Sequence, residues 1–347
     1  MELKGNKYGT HRVLEPVGVM PQTAQRINNS FNQLYSNEIV CDVISLNIDS
    51  ASFTQLKKEA NMDEGKIAAK IMEIVSQRGK MQNPVTGSGG MFIGRVAHIG
   101  SDLVGKIDLE VGDKIASLVS LSLTPLCIKS IDKIHINIDR VDVTAKAVIF
   151  ESGIYAKLPS DMTEQLALAA LDVAGAPAQT RNLVKEGDSV LVLGAGGKSG
   201  ILVCYEAKKK AGKNGRVVGV VRKQAYADTL MELGVVDSCI LASADQPVEV
   251  LEKSLEANNG CEYDVAVNCV NVQGTEMASI LPVRDGGIVY FFSMATSFTR
   301  AALGAEGVGK DVNMIIGNGY TKNHAEITLN VLRESPGIRK LFQEKYI

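Results

Sequence analysis

The 347-residue chain is 45% hydrophobic and 22% charged, with a formal net charge of -2. That length suggests two domains of roughly 150 residues each, and the near-neutral balance, with no clustered basic excess, argues against a nucleic-acid partner. No apolar run reaches the ~18 residues of a membrane span, and the polar segment Met1 to Tyr8 is not read as a signal peptide, so a cytoplasmic location is the default expectation.

Taken in order, residues 38–48 alternate loosely and are rich in Val and Ile, which suits a half-buried strand. Residues 63–78 follow with a helical period, placing Ile67, Ile71, Ile74 and Val75 on one face. Asn83-Pro84 through Gly90 reads as a loop; residues 91–99 alternate again, and Val111-Gly112-Asp113-Lys114 is a turn into a further strand. This half is expected to be a small β-rich domain over residues 1–158.

The pattern changes near Pro159. Ser160 to Thr163 offers a capping group for an alanine-rich helix over residues 164–174. Short apolar strands then alternate with helices such as 201–211 and 225–233: Ser189–Leu193, Arg216–Val221, Ser238–Leu241, 263–270 and 287–292. Strand and helix in alternation imply parallel strands joined by right-handed crossovers, hence an α/β doubly wound sheet over residues 159–319.

The six cysteines form no C-x-x-C pair and the four histidines are scattered, so buried thiols and no structural zinc are expected. The strongest signal is Gly194-Ala195-Gly196-Gly197-Lys198-Ser199-Gly200, which lies between a buried strand and a helix. A glycine-rich turn in that setting lets the backbone approach a pyrophosphate, and the helix presents unpaired N–H groups to it. Ser199 stands where the usual third glycine would be, which predicts slightly altered helix–strand packing. At the end of the second strand, Val221-Arg222-Lys223 carries no acid for a ribose 2′-hydroxyl. A guanidinium and an ammonium suit a 2′-phosphate instead, so NADP is favoured over NAD, the alternative being two solvated cations at a strand end.

The order of parts resembles the medium-chain dehydrogenase/reductase superfamily, through Val111-Gly112-Asp113, residues 191–197 and 264–270, and Gly286 to Val289. The resemblance implies a GroES-like N-terminal domain, a Rossmann domain, and residues 320–347 returning to the first. The superfamily's catalytic zinc ligands fall near Asp49, Gly90 and either Asp172 or Ala174. The Cys and His of that set are missing, and so is the four-cysteine zinc loop, which implies a zinc-independent enzyme.

Within the superfamily the chain resembles the L-erythro-3,5-diaminohexanoate dehydrogenases of anaerobic lysine fermentation. The blocks that carry this are Gly9 to Val13, Gly87 to Met91, Ala174 to Thr180, Gly194 to Gly200 and Gly317 to Tyr320. The resemblance implies a small diamino-acid substrate, oxidised at C3 to 5-amino-3-oxohexanoate and ammonia, and a homo-oligomer, dimer or tetramer, is expected.

Such chemistry needs a base, because an ammonium nitrogen has no lone pair to assist hydride loss, and acidic partners for the second ammonium. Asp49 and Asp172 are the carboxylate candidates, both near vacated metal positions. Asp49 reads equally as a turn residue capping Ser50 to Ser52; Asp172, inside an apolar helix, is expected to be desolvated. Arg12 is a candidate for the substrate carboxylate or else an exposed charge. Cys269, Val270 and Ser293, at the ends of two later strands, are expected beside the cofactor. A zinc-free quinone or enoyl reductase, or a cofactor-binding protein without catalysis, remain as alternatives.

Overall fold

The computed structural model describes residues 2–317 and 319–347; Met1, and Asn318 of the Gly317 to Tyr320 block, lie outside the described residues. The chain divides after Pro159 into two compact units.

The first unit contains β1 (Val13–Glu15), β2 (Arg26–Ile27), β3 (Glu38–Ile48), α1 (Ser50–Glu59), α2 (Glu64–Arg78), β4 (Gly90–Ile99), β5 (Lys114–Ser117), β6 (Leu126–His135), β7 (Arg140–Phe150) and β8 (Tyr155–Lys157). Six of these strands form one antiparallel sheet in the order β6-β7-β3-β4-β5-β8. Its long central strand β3 turns Leu46 and Ile48 into a core shared with Phe53, Leu56, Ile67, Ile71, Phe92 and Val141. The helical period seen over residues 63–78 is that of α2, whose N-cap Asp63 accepts a 2.8 Å hydrogen bond from Lys66 N. Helix α1 has no counterpart in the sequence reading, which saw only a turn after Asp49.

The second unit contains α3 (Glu164–Leu171), α4 (Gly175–Leu183), β9 (Ser189–Leu193), α5 (Lys198–Ala211), β10 (Arg216–Val221), α6 (Gln224–Glu232), β11 (Ser238–Leu241), α7 (Pro247–Ala257), β12 (Tyr263–Asn268), α8 (Glu276–Ile280), β13 (Val283–Phe291), α9 (Phe298–Val308), β14 (Asn313–Ile316), α10 (His324–Glu334) and α11 (Pro336–Lys345). All six strands are parallel, in the order β11-β10-β9-β12-β13-β14. This is the doubly wound Rossmann order, with its switch point between β9 and β12. Val190 to Leu193 are buried on both faces, as the apolar run of a central parallel strand requires.

Two expectations are corrected here. The helix expected over 164–174 ends at Leu171, with Asp172 as its C-cap, and α4 begins at Gly175. Residues 320–347 do not leave the second unit: α10 packs on α3, α4 and α5, and α11 on α3. The reason is burial, since Leu329, Val331, Leu332, Ile338 and Phe342 are all 2% exposed or less and give these helices an apolar face to cover.

Candidate cofactor groove and carboxylates

The carboxyl ends of the parallel strands open onto a groove of about 360 Å³, a size that suits part of a dinucleotide. Gly194, Gly196 and Gly197 form its floor, with Val221 and Arg222 from β10 and Cys269 and Val270 after β12. The expected turn therefore lies at the switch point, ahead of the first turn of α5. Lys198 and Ser199 open that helix, so their backbone N–H groups belong to its unpaired N-terminal set.

Gly200, rather than the missing glycine at 199, provides the close helix–strand packing. A Cβ there would lie 2.2 Å from Gly194 O and 2.7 Å from Ala195 Cα. The close packing whose slight alteration was expected at Ser199 is thus supplied one residue later. At Gly196 the room left by the absent side chain is taken by Tyr226, whose Cβ would stand 2.7 Å from a Cβ at that position.

Tyr226, Ser243, Asp245 and Thr275 also line the groove and were not found by sequence reasoning. They lie in turns after the strands, where no periodic signal exists. Arg222 points into this group, while Lys223 is the N-cap of α6. Ser293 is not among the lining residues; its hydroxyl accepts a 3.1 Å bond from Ala295 N and serves its own turn.

Buried Asn268 holds the loop over the groove. Its Nδ2 donates to Thr275 Oγ1 at 2.8 Å and to Ser279 Oγ at 2.9 Å, and its Oδ1 accepts from Val270 N at 2.9 Å. Asn268→Ala should destabilise the protein by about 1–3 kcal/mol, because buried partners lose their bonds. A urea midpoint equal to that of the parent would show that the loop does not depend on this side chain. Next to it, burial pushes the Cys269 thiol up to about 12, with a hydrogen bond to Ser199 pulling the other way, so the group is a neutral wall of the groove.

The carboxylate candidates separate. Asp172 is not desolvated: its side chain is 56% exposed and forms an ion pair with Lys198. Asp49 caps α1, accepting a 3.1 Å bond from Ser52 N through Oδ1. Its other oxygen, Oδ2, is buried and finds no partner among the described residues, and the same is true of Ser45 Oγ and Asn47 Oδ1. The three residues alternate along one side of β3 and its end, opposite to core-facing Leu46 and Ile48. They form a row of unmatched acceptors, which the sequence hinted at only through Asp49.

Arg12 is neither exposed nor available for a substrate carboxylate. It is completely buried, with Nε and Nη2 each 2.6 Å from the Glu38 carboxylate and the remaining donors on Asn28 O, Ser30 O and Gln33 O. Burial pushes the Glu38 carboxyl up, but the hydrogen bonds from Arg12 and His11 outweigh it and hold the group below its ordinary range. Arg12 is a structural cation of the first unit. Sequence position alone could not reveal this, since its partner lies 26 residues away.

At the positions where the resemblance places a catalytic zinc there is no Cys or His. Asp49 is a helix cap, Gly90 has no side chain, Asp172 is paired with Lys198, and Ala174 is buried and apolar. Among the described residues no group of three His, Cys, Asp or Glu side chains could hold a metal ion.

Residues 11–159 match the L-erythro-3,5-diaminohexanoate dehydrogenase N-terminal domain family. The chain is 68% identical over 345 residues to the L-erythro-3,5-diaminohexanoate dehydrogenase of Acetoanaerobium sticklandii, covering 99% of this chain and 100% of the relative. The chain belongs to the L-erythro-3,5-diaminohexanoate dehydrogenase family. A second member, from Fusobacterium nucleatum, is 61% identical over 344 residues and is covered to 99% on both sides. The fold is like that of a mycobacterial quinone oxidoreductase, which superposes with a TM-score of 0.55, at 15% identity, over 90% of this chain and 86% of the other. No helix among the described residues is long and apolar enough to cross a membrane.

Proposed function

We propose that this chain catalyses the NAD(P)-dependent oxidative deamination of L-erythro-3,5-diaminohexanoate to 5-amino-3-oxohexanoate and ammonia, a step of anaerobic lysine fermentation. The observation that carries the reading is full-length identity of 61–68% to two relatives bearing that name. The glycine turn, the strand order and the groove beside them supply the dinucleotide site such a reaction needs. A quinone or enoyl reductase draws support from fold likeness alone, which does not specify a reaction.

When bound, the nicotinamide supplies the acceptor for the hydride that leaves C3. The protein's part is to present C3 with a neutral amine and to manage protons. Asp49 is the residue best suited to this. Its Oδ2 can hold an ammonium group or take its proton, and Asn47 Oδ1 and Ser45 Oγ offer further acceptors along the same side for the second ammonium. Asp172 fits a positioning role, fixing Lys198 at the start of α5. The absence of a matching ligand set at the superfamily's zinc positions supports zinc-independent chemistry.

NADP is the favoured cofactor. Arg222 lines the groove at the end of β10 and no acid stands at that strand end. Arg222→Asp should shift the ratio of catalytic efficiencies toward NAD by about 10- to 100-fold, since it removes a charge-assisted contact and installs an acceptor for the 2′-hydroxyl. An unchanged ratio would show that Arg222 is a solvated cation.

The reading extends to a homo-oligomer, supported by the edge position of β14 and by exposed Phe298, Leu303 and Ile316 close to it in sequence, and keeps the cytoplasm as the default location. The direct test is formation of reduced cofactor from 3,5-diaminohexanoate and NADP, with and without a strong chelator. Turnover that survives chelation is the expected result. Turnover with a quinone but not with the diamine would overturn the assignment.

A further inference from the structure

We propose that the hydroxyls of Ser52, Thr86 and Ser88 hold the substrate's carboxylate, as a hydrogen-bonding subsite without a cation. This rests on the diaminohexanoate reading above, which puts ammonium groups on Asp49 and Asn47 and leaves the carboxylate without a place, since Arg12 is buried on Glu38.

The three hydroxyls form a triangle. Ser52 Oγ lies 2.6 Å from Thr86 Oγ1 and 2.7 Å from Ser88 Oγ, and those two are 3.0 Å apart. Each hydroxyl has one proton to give, and none of the three gives it to a carbonyl or a carboxylate among the described residues. The protons stay within the triangle, where an incoming carboxylate, a stronger acceptor than a hydroxyl, can take two of them at once. Ser52 is completely buried, Ser88 half-buried and Thr86 exposed, so one corner is fixed in the protein and another is open to solvent.

A frame of hydrogen bonds sets the triangle beside Asp49. Buried Asn83 accepts from Val85 N at 2.8 Å and Thr86 N at 3.3 Å, and donates to Gln55 Oε1 at 2.8 Å and Ser52 O at 3.3 Å, which ties the loop to α1. The loop then ends against the cap of α1, where a Cβ on Gly90 would stand 2.9 Å from Asp49 N. This gives the block Gly87 to Met91, which the cofactor groove does not use, a place at the carboxylate candidate.

Order along the chain supplies the match. Ser45, Asn47 and Asp49 offer unmatched acceptors, and Ser52 follows on the first turn of α1, whose N–H groups add partial positive charge. Acceptors thus give way to donors. The substrate has the same order: an ammonium at C5, the reacting amine at C3, and a carboxylate one methylene from C3. With the C3 amine at Asp49 and the C5 ammonium toward Asn47, the carboxylate falls on the side of Ser52. Two lysines of these segments are engaged elsewhere: Lys57 lies 3.0 Å from Asp139, and buried Lys80 donates to Pro21 O at 2.6 Å and Gln22 O at 3.0 Å.

The test compares 3,5-diaminohexanoate with its primary amide, which keeps both amines and lacks the negative charge. Parent, Thr86→Val, Ser88→Ala and the double variant are assayed, with thermal unfolding as the check on the fold. The parent should favour the acid by about 30-fold in kcat/KM, because hydrogen bonds to a charged group are worth more than those to a neutral one. The double variant should lose about 30-fold on the acid and less than about threefold on the amide. If it unfolds early, the single variants carry the same comparison, each losing about fivefold or more on the acid alone. A parent that does not prefer the acid, variants with parent-like efficiency on it, or equal losses on acid and amide make the triangle a loop clamp and overturn the inference, while turnover of the diamine by the parent leaves the deamination reading standing. A parent that turns over neither compound overturns both.

Discussion

Gly200→Ala is expected to abolish measurable cofactor binding, a loss of at least about 100-fold. The added methyl would stand 2.2 Å from Gly194 O and 2.8 Å from Ala195 C, and both neighbours are backbone of the phosphate turn itself. No rotamer change can relieve the contact. Either α5 must move away from β9, or the turn must open, and each displaces the N–H groups meant for the pyrophosphate. Gly197→Ala is the control for the fold alone, because a Cβ there meets only Gly194 O at 3.4 Å, an ordinary contact, and this variant should unfold like the parent. Cofactor titration and thermal unfolding of the two variants check the argument. Parent-like affinity in Gly200→Ala would mean that the helix and strand are not in the close contact described.

Asp49→Asn should lower kcat/KM for the diamine by about 100-fold or more, equivalent to roughly 2.7 kcal/mol of transition-state stabilisation. Asparagine is as good an N-cap as aspartate, so α1 and the fold should be retained. What is lost is the negative charge on the side chain whose second oxygen finds no partner among the described residues. Cofactor affinity should be unchanged, since the glycine turn belongs to the other unit. Asp172→Asn makes the contrast: it frees Lys198, so its effect should fall mainly on the KM for the cofactor and remain below about tenfold. Steady-state kinetics of both variants, with the diamine and the cofactor varied in turn, separate the roles. Near-normal deamination by a folded Asp49→Asn protein would make Asp49 a helix cap and nothing more.

The two candidates show where sequence reading runs out. Both aspartates were singled out by their nearness to vacated metal positions, and a linear pattern gives no way to rank them. Asp172 looked desolvated because Leu166 to Ala170 around it are apolar, yet the helix ends at Leu171 and turns its cap outward to Lys198. Asp49 looked like a turn residue and is one, but Ser45 and Asn47 acquire meaning beside it only when β3 is seen as an extended strand with its other side in the core. Arg12 was misjudged for the same reason. Nothing near it in sequence announces Glu38 or the three carbonyls that surround it.

By itself the sequence determined the features that local chemistry controls. Apolar runs such as Val190 to Leu193, alternating with helices, specify parallel strands, and glycines between strand and helix specify a phosphate turn, because period and backbone freedom are properties of neighbouring residues. The Arg222-Lys223 pair with no acid beside it is legible in the same way. Tertiary structure alone decided which residues have partners and which are left unmatched. It moved the close-packing glycine to position 200, took Arg12 out of solvent, paired Asp172 with Lys198, and kept residues 320–347 in the second unit through the buried faces of α10 and α11. Each of these depends on an apolar surface or an ionic partner supplied from elsewhere in the fold, and burial and pairing are set only when distant segments are brought into contact.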